Sequence, residues 1–294
     1  MKTTPVLSLH HNNAVYSVAF SVDGKQLASG SLDKSIKLWD LPSGTERLQL
    51  KGHREAICAV RFLPDETTLL SASLDKTLRV WDVASGKLEA TMPGHQTYLT
   101  CMASSPNGSR AASGAHDKDI IVWDIDNRSQ LSVLKGHTDF INCAAYSPDG
   151  KTIASAGHDL LVRLWDAEQL KPLRNFDPHE APIQSLAFSP DGKLLAAGDD
   201  DRKIVLRNSE SGETIKTLEG HTGSVKSLAF SPDGKWLASG SSDTTIRIHE
   251  VATGKHLHTL KGHKNSIYCV TFSADGKWLA SSGFSRTAHV WDLS

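Results

Sequence analysis

Cysteine is scarce in this chain of 294 residues: Cys58, Cys101, Cys143 and Cys269 stand far apart, so no CxxC pair is present for metal or redox chemistry. No apolar run approaches the roughly 18 residues of a membrane-spanning helix. Met1 to Leu9 carries one lysine and no apolar centre, so a secretory signal is not expected there. Reduced thiols in a cytoplasmic protein are the expectation, with the nucleus open to it in a eukaryote. Charge of one sign is lacking too. Thirty-two basic residues face 33 acidic ones, and no global field draws the chain to nucleic acid or anionic lipid. Asn107-Gly108-Ser109 and Asn127-Arg128-Ser129 match the glycosylation pattern but are read as surface turns. No Gly-rich phosphate loop, metal motif or nucleophile elbow occurs, and no stretch sustains a 3.6-residue period.

What is there is a repeat. Gly-His pairs begin at Gly52, Gly94, Gly136, Gly220 and Gly262, each 42 residues or twice that from the next. Pro178-His179 fills the skipped slot, and the same offset backwards lands on His10-His11. Trp-Asp pairs begin at Trp39, Trp81, Trp123, Trp165 and Trp291 in the same register, with Arg207-Asn208 and His249-Glu250 in the remaining slots. Seven repeats of 42 account for all 294 residues, so residues 1–294 are expected to form one domain without insertions. Within the repeat that begins at His221, Val225–Phe230, Trp236–Gly240, Thr245–Glu250 and His256–Leu260 read as short strands. Ser231-Pro232-Asp233-Gly234 and Ala252-Thr253-Gly254-Lys255 read as turns between them.

Four strands per repeat with Gly-His and Trp-Asp markers is a propeller pattern. The combined stretch Gly220-His221, Ser231 to Lys235, Leu237 to Ser241 and Asp243 resembles the WD40 repeat, and the resemblance runs the length of the chain. It implies an all-β, seven-bladed propeller with four antiparallel strands per blade. The last repeat stops at Trp291-Asp292-Leu293-Ser294, after its third strand, while Thr4 to Leu9 occupies a fourth-strand position. An unpaired edge invites aggregation. The N-terminal segment, at about residues 4–9, is therefore expected to complete the last blade.

Each repeat places Ser 18, Asp 22 and Trp 28 residues after its His. The set is complete four times: His11, Ser29, Asp33 and Trp39; His53, Ser71, Asp75 and Trp81; His95, Ser113, Asp117 and Trp123; His137, Ser155, Asp159 and Trp165. A hydrolase needs one triad and not four, so a catalytic reading is set aside. The resemblance implies a buried hydrogen-bond chain from Trp through Ser and His to Asp. Blade five keeps His179 and is expected to pair it with Asp201, but holds Ala197 and Arg207; blade six holds His249 for Trp, and blade seven Ser285 for Asp. Histidines on separate blades cannot share one ion, so neither metal nor cofactor is expected. The cysteines, five or six residues after their histidines, are read as small core residues, and Asp199-Asp200-Asp201 as a solvated turn.

Function is then sought on a surface. The resemblance implies a top face fed by three positions per repeat: three and five residues after the His, and the residue before the turn Asp. Most of these slots vary. The candidate partner-binding residues are Tyr16, Leu32, Leu74, Tyr98, His116, Phe140, His158, Asp200, Tyr268 and Phe284. Apolar groups come from blades seven and one to four; Asp200, Gln184, Lys226 and Ser242 come from blades five and six. An apolar anchor beside a polar flank suits a peptide with a hydrophobic side chain and a basic group near Asp200. The expected function is a non-catalytic, monomeric scaffold that recruits proteins or peptides inside a larger complex, with no membrane and no direct nucleic-acid contact. The alternative is a subunit that bridges others in a nucleic-acid-processing complex.

Overall fold

The computed structural model describes residues 2–294. They form 28 strands, numbered β1–β28 in chain order, and no helix, and so none long and apolar enough to cross a membrane. The strands group into seven four-stranded antiparallel sheets. Six sheets are consecutive meanders, beginning with β2 (Val15–Phe20), β3 (Gln26–Ser31), β4 (Ser35–Asp40) and β5 (Thr45–Lys51). The seventh joins both chain ends: β1 (Leu7–His10) pairs with β28 (Thr287–Asp292), Leu7 opposite Val290 and His10 opposite Thr287. The closing strand thus lies somewhat later than residues 4–9.

The inner strands run through consecutive buried apolar and small residues, because each sheet packs on two neighbours and both of its faces are covered. The core accordingly lies between blades. Ile36, Leu38 and Leu50 of blade one pack with Ile57, Val60 and Leu69 of blade two. Leu9, Ala288 and Val290 of the composite blade pack with Val15, Val18 and Trp39 of blade one. Ser17, Ser185 and Ser227 each turn a buried hydroxyl to accept from the backbone N–H of the next blade, at Val60, Leu228 and Val270, at 2.9–3.1 Å.

Two irregularities recur. The first strand of every blade bulges at one residue, Tyr16, Cys58, Thr100, Asn142, Gln184, Lys226 or Tyr268. The outer strands of blades one to six bulge at Arg47, Glu89, Leu131, Leu173, Ile215 and Leu257. A bulge on an exposed edge interrupts the ladder that a foreign strand would need.

Candidate functional site

The recurring polar side chains form buried chains. In blades one to four the indole N–H of Trp39, Trp81, Trp123 or Trp165 donates to the Ser Oγ at 2.7–2.8 Å. The same Oγ lies 2.7–2.9 Å from His Nε2, and His Nδ1 lies 2.7–3.1 Å from the Asp carboxylate. The indole can only donate, so the serine spends its one proton on Nε2, and the imidazole carries its own proton on Nδ1 toward the carboxylate. Each Asp also accepts from the amide after its His, at Asn12, Arg54, Gln96 and Thr138. The chain thereby ties together the two turns at the top of the blade.

Ser29, Ser71, Ser113 and Ser155 are wholly buried, so no substrate can reach these hydroxyls. Burial holds the His11 and His53 imidazoles below their ordinary pKa. Burial alone would raise the Asp75 carboxyl, but hydrogen bonds from His53, Thr77 and the Arg54 amide hold it well below the usual range. These groups are fixed in one protonation state and bound to one another.

The incomplete blades correct one expectation. His179 faces Asp199 at 3.2 Å, not Asp201, which is exposed. Asp199 stands at the end of its strand, where blades one, two and six have Ser31, Ser73 and Ser241. Its buried carboxylate reaches the imidazole from there and also accepts from the Lys203 amide. With Ala197 in place of Ser, His179 Nε2 has no partner. In blade six, His249 is buried with both ring nitrogens unpartnered. Burial and its neighbours His256, His221 and Arg247 push it down to about 4. In blade seven Ser285 Oγ stands 3.5 Å from His263 Nδ1, and burial, helped by His289, lowers His263 to about 3.

The varied positions converge on one face. In all seven blades the amide of the third position donates to the carbonyl of the first: Leu32 to Ala14, Leu74 to Ala56, His116 to Tyr98, His158 to Phe140, Asp200 to Pro182, Ser242 to Ser224 and Phe284 to Ser266. The second position is the inner bulge described above. The bulge frees its side chain from the pleat, so the slot carries little packing and can vary.

Two aromatic groups result. On blades three and four Tyr98 meets His116 edge-on at 6.3 Å, His116 stacks on Phe140 at 4.3 Å, and His158 meets Phe140 at 5.8 Å. On blades one and seven Tyr16 meets Tyr268 at 5.2 Å and Tyr268 meets Phe284 at 6.3 Å. Tyr98 and Phe284 are more than half exposed and Phe140 is 38% exposed. Between the groups lies a cavity of about 280 Å3 whose lining includes Tyr16, Cys58, Leu74, Tyr98, Asn142 and Tyr268. Leu32 is half-buried on the same rim.

The polar flank differs from expectation. Asp200 lies 3.0 Å from Lys226 Nζ and accepts from Gln184 Nε2 at 3.0 Å and from Ser224 Oγ. Its carboxylate is already neutralised, so it offers no free charge to a basic group on a partner. The sequence placed Gln184 and Lys226 on the same face as Asp200 but could not show that their side chains reach its carboxylate.

The WD domain, G-beta repeat model matches residues 3–40, 44–82, 86–124 and 128–166, and the echinoderm microtubule-associated protein second beta-propeller model matches residues 151–294. Vegetative incompatibility protein HET-E-1 of Podospora anserina is 63% identical over 35 residues, 12% of this chain and 3% of that protein. THO complex subunit 3 of Arabidopsis thaliana is 41% identical over 61 residues, 17% of this chain and 19% of that protein. The chain thus matches only a small part of either relative.

Proposed function

Because the chain belongs to the WD40-repeat family, whose propellers generally act as protein-interaction scaffolds, we propose that it recruits protein or peptide partners through its top face and is not an enzyme. The observation that carries this is the pair of aromatic groups around the central mouth, with Tyr98, Phe140 and Phe284 held out into solvent. Aromatic side chains on a fixed ring are low-entropy anchors of the kind that dominate interface energetics. Leu32, Leu74, Tyr16, Tyr268, His116 and His158 complete the contact surface. Asp200 serves as a neutral polar flank. Residues 1–294 act as one monomeric unit within a larger, cytoplasmic assembly.

The test is Tyr98→Ala combined with Phe140→Ala. Blades one and two carry Ala14 and Ala56 at this position, and blades six and seven Ser224 and Ser266, so the fold accepts small residues there. The double variant should keep its melting temperature nearly unchanged. It should weaken the main partner recovered by affinity purification by ~2 kcal/mol or more. The control pair Arg47→Ala and Lys87→Ala, on outer surface positions, should change neither. A sharp loss of stability would make the aromatics core caps; unchanged binding of every partner would move the contact surface elsewhere.

The short match to a THO complex subunit favours a second reading, a bridging subunit in a nucleic-acid-processing complex. In that case partner binding should persist at salt concentrations that abolish binding to generic RNA.

A further inference from the structure

The channel along the ring axis encloses about 450 Å3 and runs from Tyr16, Cys58 and Tyr268 at the mouth to Phe20, Val22 and Ala274 at the far end. That volume falls in the roughly 300–1,000 Å3 range of ligand pockets. Seven equivalent strands line it, so each blade is a control for the others. Eight residues after the repeat His stand Ala19, Arg61, Ala103, Ala145, Ala187, Ala229 and Thr271, all small except Arg61. The small residue packs with an aromatic ring of the next blade: Ala19 with Phe62, Ala145 with Phe188, Ala187 with Phe230 and Ala229 with Phe272. Where blade two meets blade three, the same two slots hold Arg61 and Ser104. The order of sizes is reversed there: a ring is given up, which leaves room for one long, charged side chain.

Arg61 is half-buried near the end of β6 (Ile57–Phe62) and lines the channel. Its Nη1 donates to the Val60 carbonyl at 2.8 Å, and no carboxylate among the described residues pairs with it. The other cation of the lining, Lys226, is neutralised by Asp200 at 3.0 Å. No acidic residue among the described ones lines the channel. Burial holds the Cys58, Cys101 and Cys143 thiols and the Tyr16 and Tyr268 phenols above their ordinary pKa values, so none of them supplies a negative charge. A guanidinium cannot shed its proton. With the Lys226–Asp200 pair counted, the channel is left with one uncompensated positive charge, on a planar fork most of whose N–H donors are unused.

We propose that the channel binds a small monocarboxylate with an apolar body, anchored by Arg61. The guanidinium fork matches the two oxygens of a carboxylate in plane. One free positive charge balances one negative charge, whereas a phosphate dianion would need a second free cation, and Lys226 is already paired. The apolar body lies among Phe20, Val22, Met102 and Phe272, which line the same channel. The site does not rest on the reading of the aromatic top face, because Tyr98 and Phe140 are not part of this lining.

The test uses protein carrying carbon-13 in the methyl groups of its three methionines, of which Met102 lines the channel and is assigned by Met102→Leu. Sodium benzoate should shift the Met102 resonance saturably in the millimolar range. Benzamide, the uncharged analogue of the same shape, should bind about tenfold more weakly, the scale of a charge-assisted hydrogen-bonded pair. Inorganic phosphate should bind more weakly than benzoate. Arg61→Gln should abolish the preference for benzoate over benzamide. Arg61→Ala with Ser104→Phe recreates the pairing of small residue and ring found between the other blades, so it should keep the melting temperature and lose benzoate binding. Tyr98→Ala with Phe140→Ala should change none of this, so failure here and failure of the top-face reading are distinguishable. An unmoved Met102 resonance overturns the site. Equal affinity for benzoate and benzamide, or a preference that survives Arg61→Gln, overturns Arg61 as the anchor, and tighter binding of phosphate overturns the monocarboxylate.

Discussion

At the scale of the residue, the glycine of the Gly-His marker and the tryptophan of the Trp-Asp marker touch in blades three and seven. A Cβ added at Gly94 would fall 2.7 Å from Trp123 Cη2, and one at Gly262 would fall 3.0 Å from Trp291 Cη2. In these two blades the indole that donates to the serine lies with its far edge against the glycine, whereas blade one keeps the donating Trp39 with His10 in that slot. In blade five, where Arg207 replaces the indole, Pro178 occupies the glycine slot. Two substitutions test the chain of contacts. Asp199→Ala should cost roughly 1–3 kcal/mol by stranding the buried His179, whereas Asp201→Ala should cost about 0.5 kcal/mol or less. Urea unfolding of both reads the difference, and the reverse order would reject the Asp199 assignment. His249→Trp should restore the missing indole donor to Ser239 and remove two unpartnered ring nitrogens. The variant should gain about 1 kcal/mol at neutral pH, and a loss would mean that blade six has lost the space for an indole.

At the scale of the element, blades differ in how they respond to acid. His249 and His263 are bases whose folded pKa values, about 4 and about 3, lie below the ordinary 6.5. Both are neutral when folded and take up a proton more readily when unfolded. Their contribution to stability is complete above pH 6.5 and is lost as pH falls through the window toward 4 and 3. In blades two and six, Asp75 and Asp243 are depressed carboxylates, whose contribution is present above the ordinary 3.8 and fails only below it. Acidification from pH 7 to about 4.5 should therefore loosen the elements around these two histidines first. These are β24 (Thr245–Glu250), β25 (His256–Lys261), β26 (Ile267–Phe272) and β28. Hydrogen exchange by mass spectrometry should show these strands gaining deuterium before β7 (Thr68–Ser73) and β8 (Thr77–Asp82), where the smaller shift of His53 acts. Uniform loss of protection across the blades would contradict this.

At the scale of the whole molecule, stability depends on closing the ring. The contact between blades seven and one includes Leu9, which is 3% exposed and packs with Val15, Val18 and Val290. Leu9→Ala removes buried methyl groups from β1, the strand that closes the ring by pairing with β28 and packs on blade one. It should cost roughly 2–4 kcal/mol in urea unfolding, against little for Leu173→Ala, an outer bulge residue that is 47% exposed. A Leu9→Ala variant as stable as the parent would show that this side chain does not hold the ring shut.

Blade number, strand order and the tetrads were legible in the sequence because each is written at a fixed 42-residue period. The closing strand could be inferred because the last repeat lacks its fourth strand. What the period could not carry was decided by contacts between repeats or by departures within one. Asp199 rather than Asp201 meets His179 because one carboxylate lies along its strand and the other points to solvent, a difference of turn geometry that spacing does not record. Asp200 lost its free charge to Lys226 and Ser224 of the next blade, and the stack of His116 on Phe140 crosses from blade three to blade four. Leu7 and Val290, 283 positions apart in the chain, meet only because closure of the ring pairs them across one sheet. The sequence determined a ring of seven four-stranded sheets and the slots that face its mouth. The tertiary structure decided which side chains in those slots remain free to bind, because freedom depends on neighbours that only closure of the ring brings together.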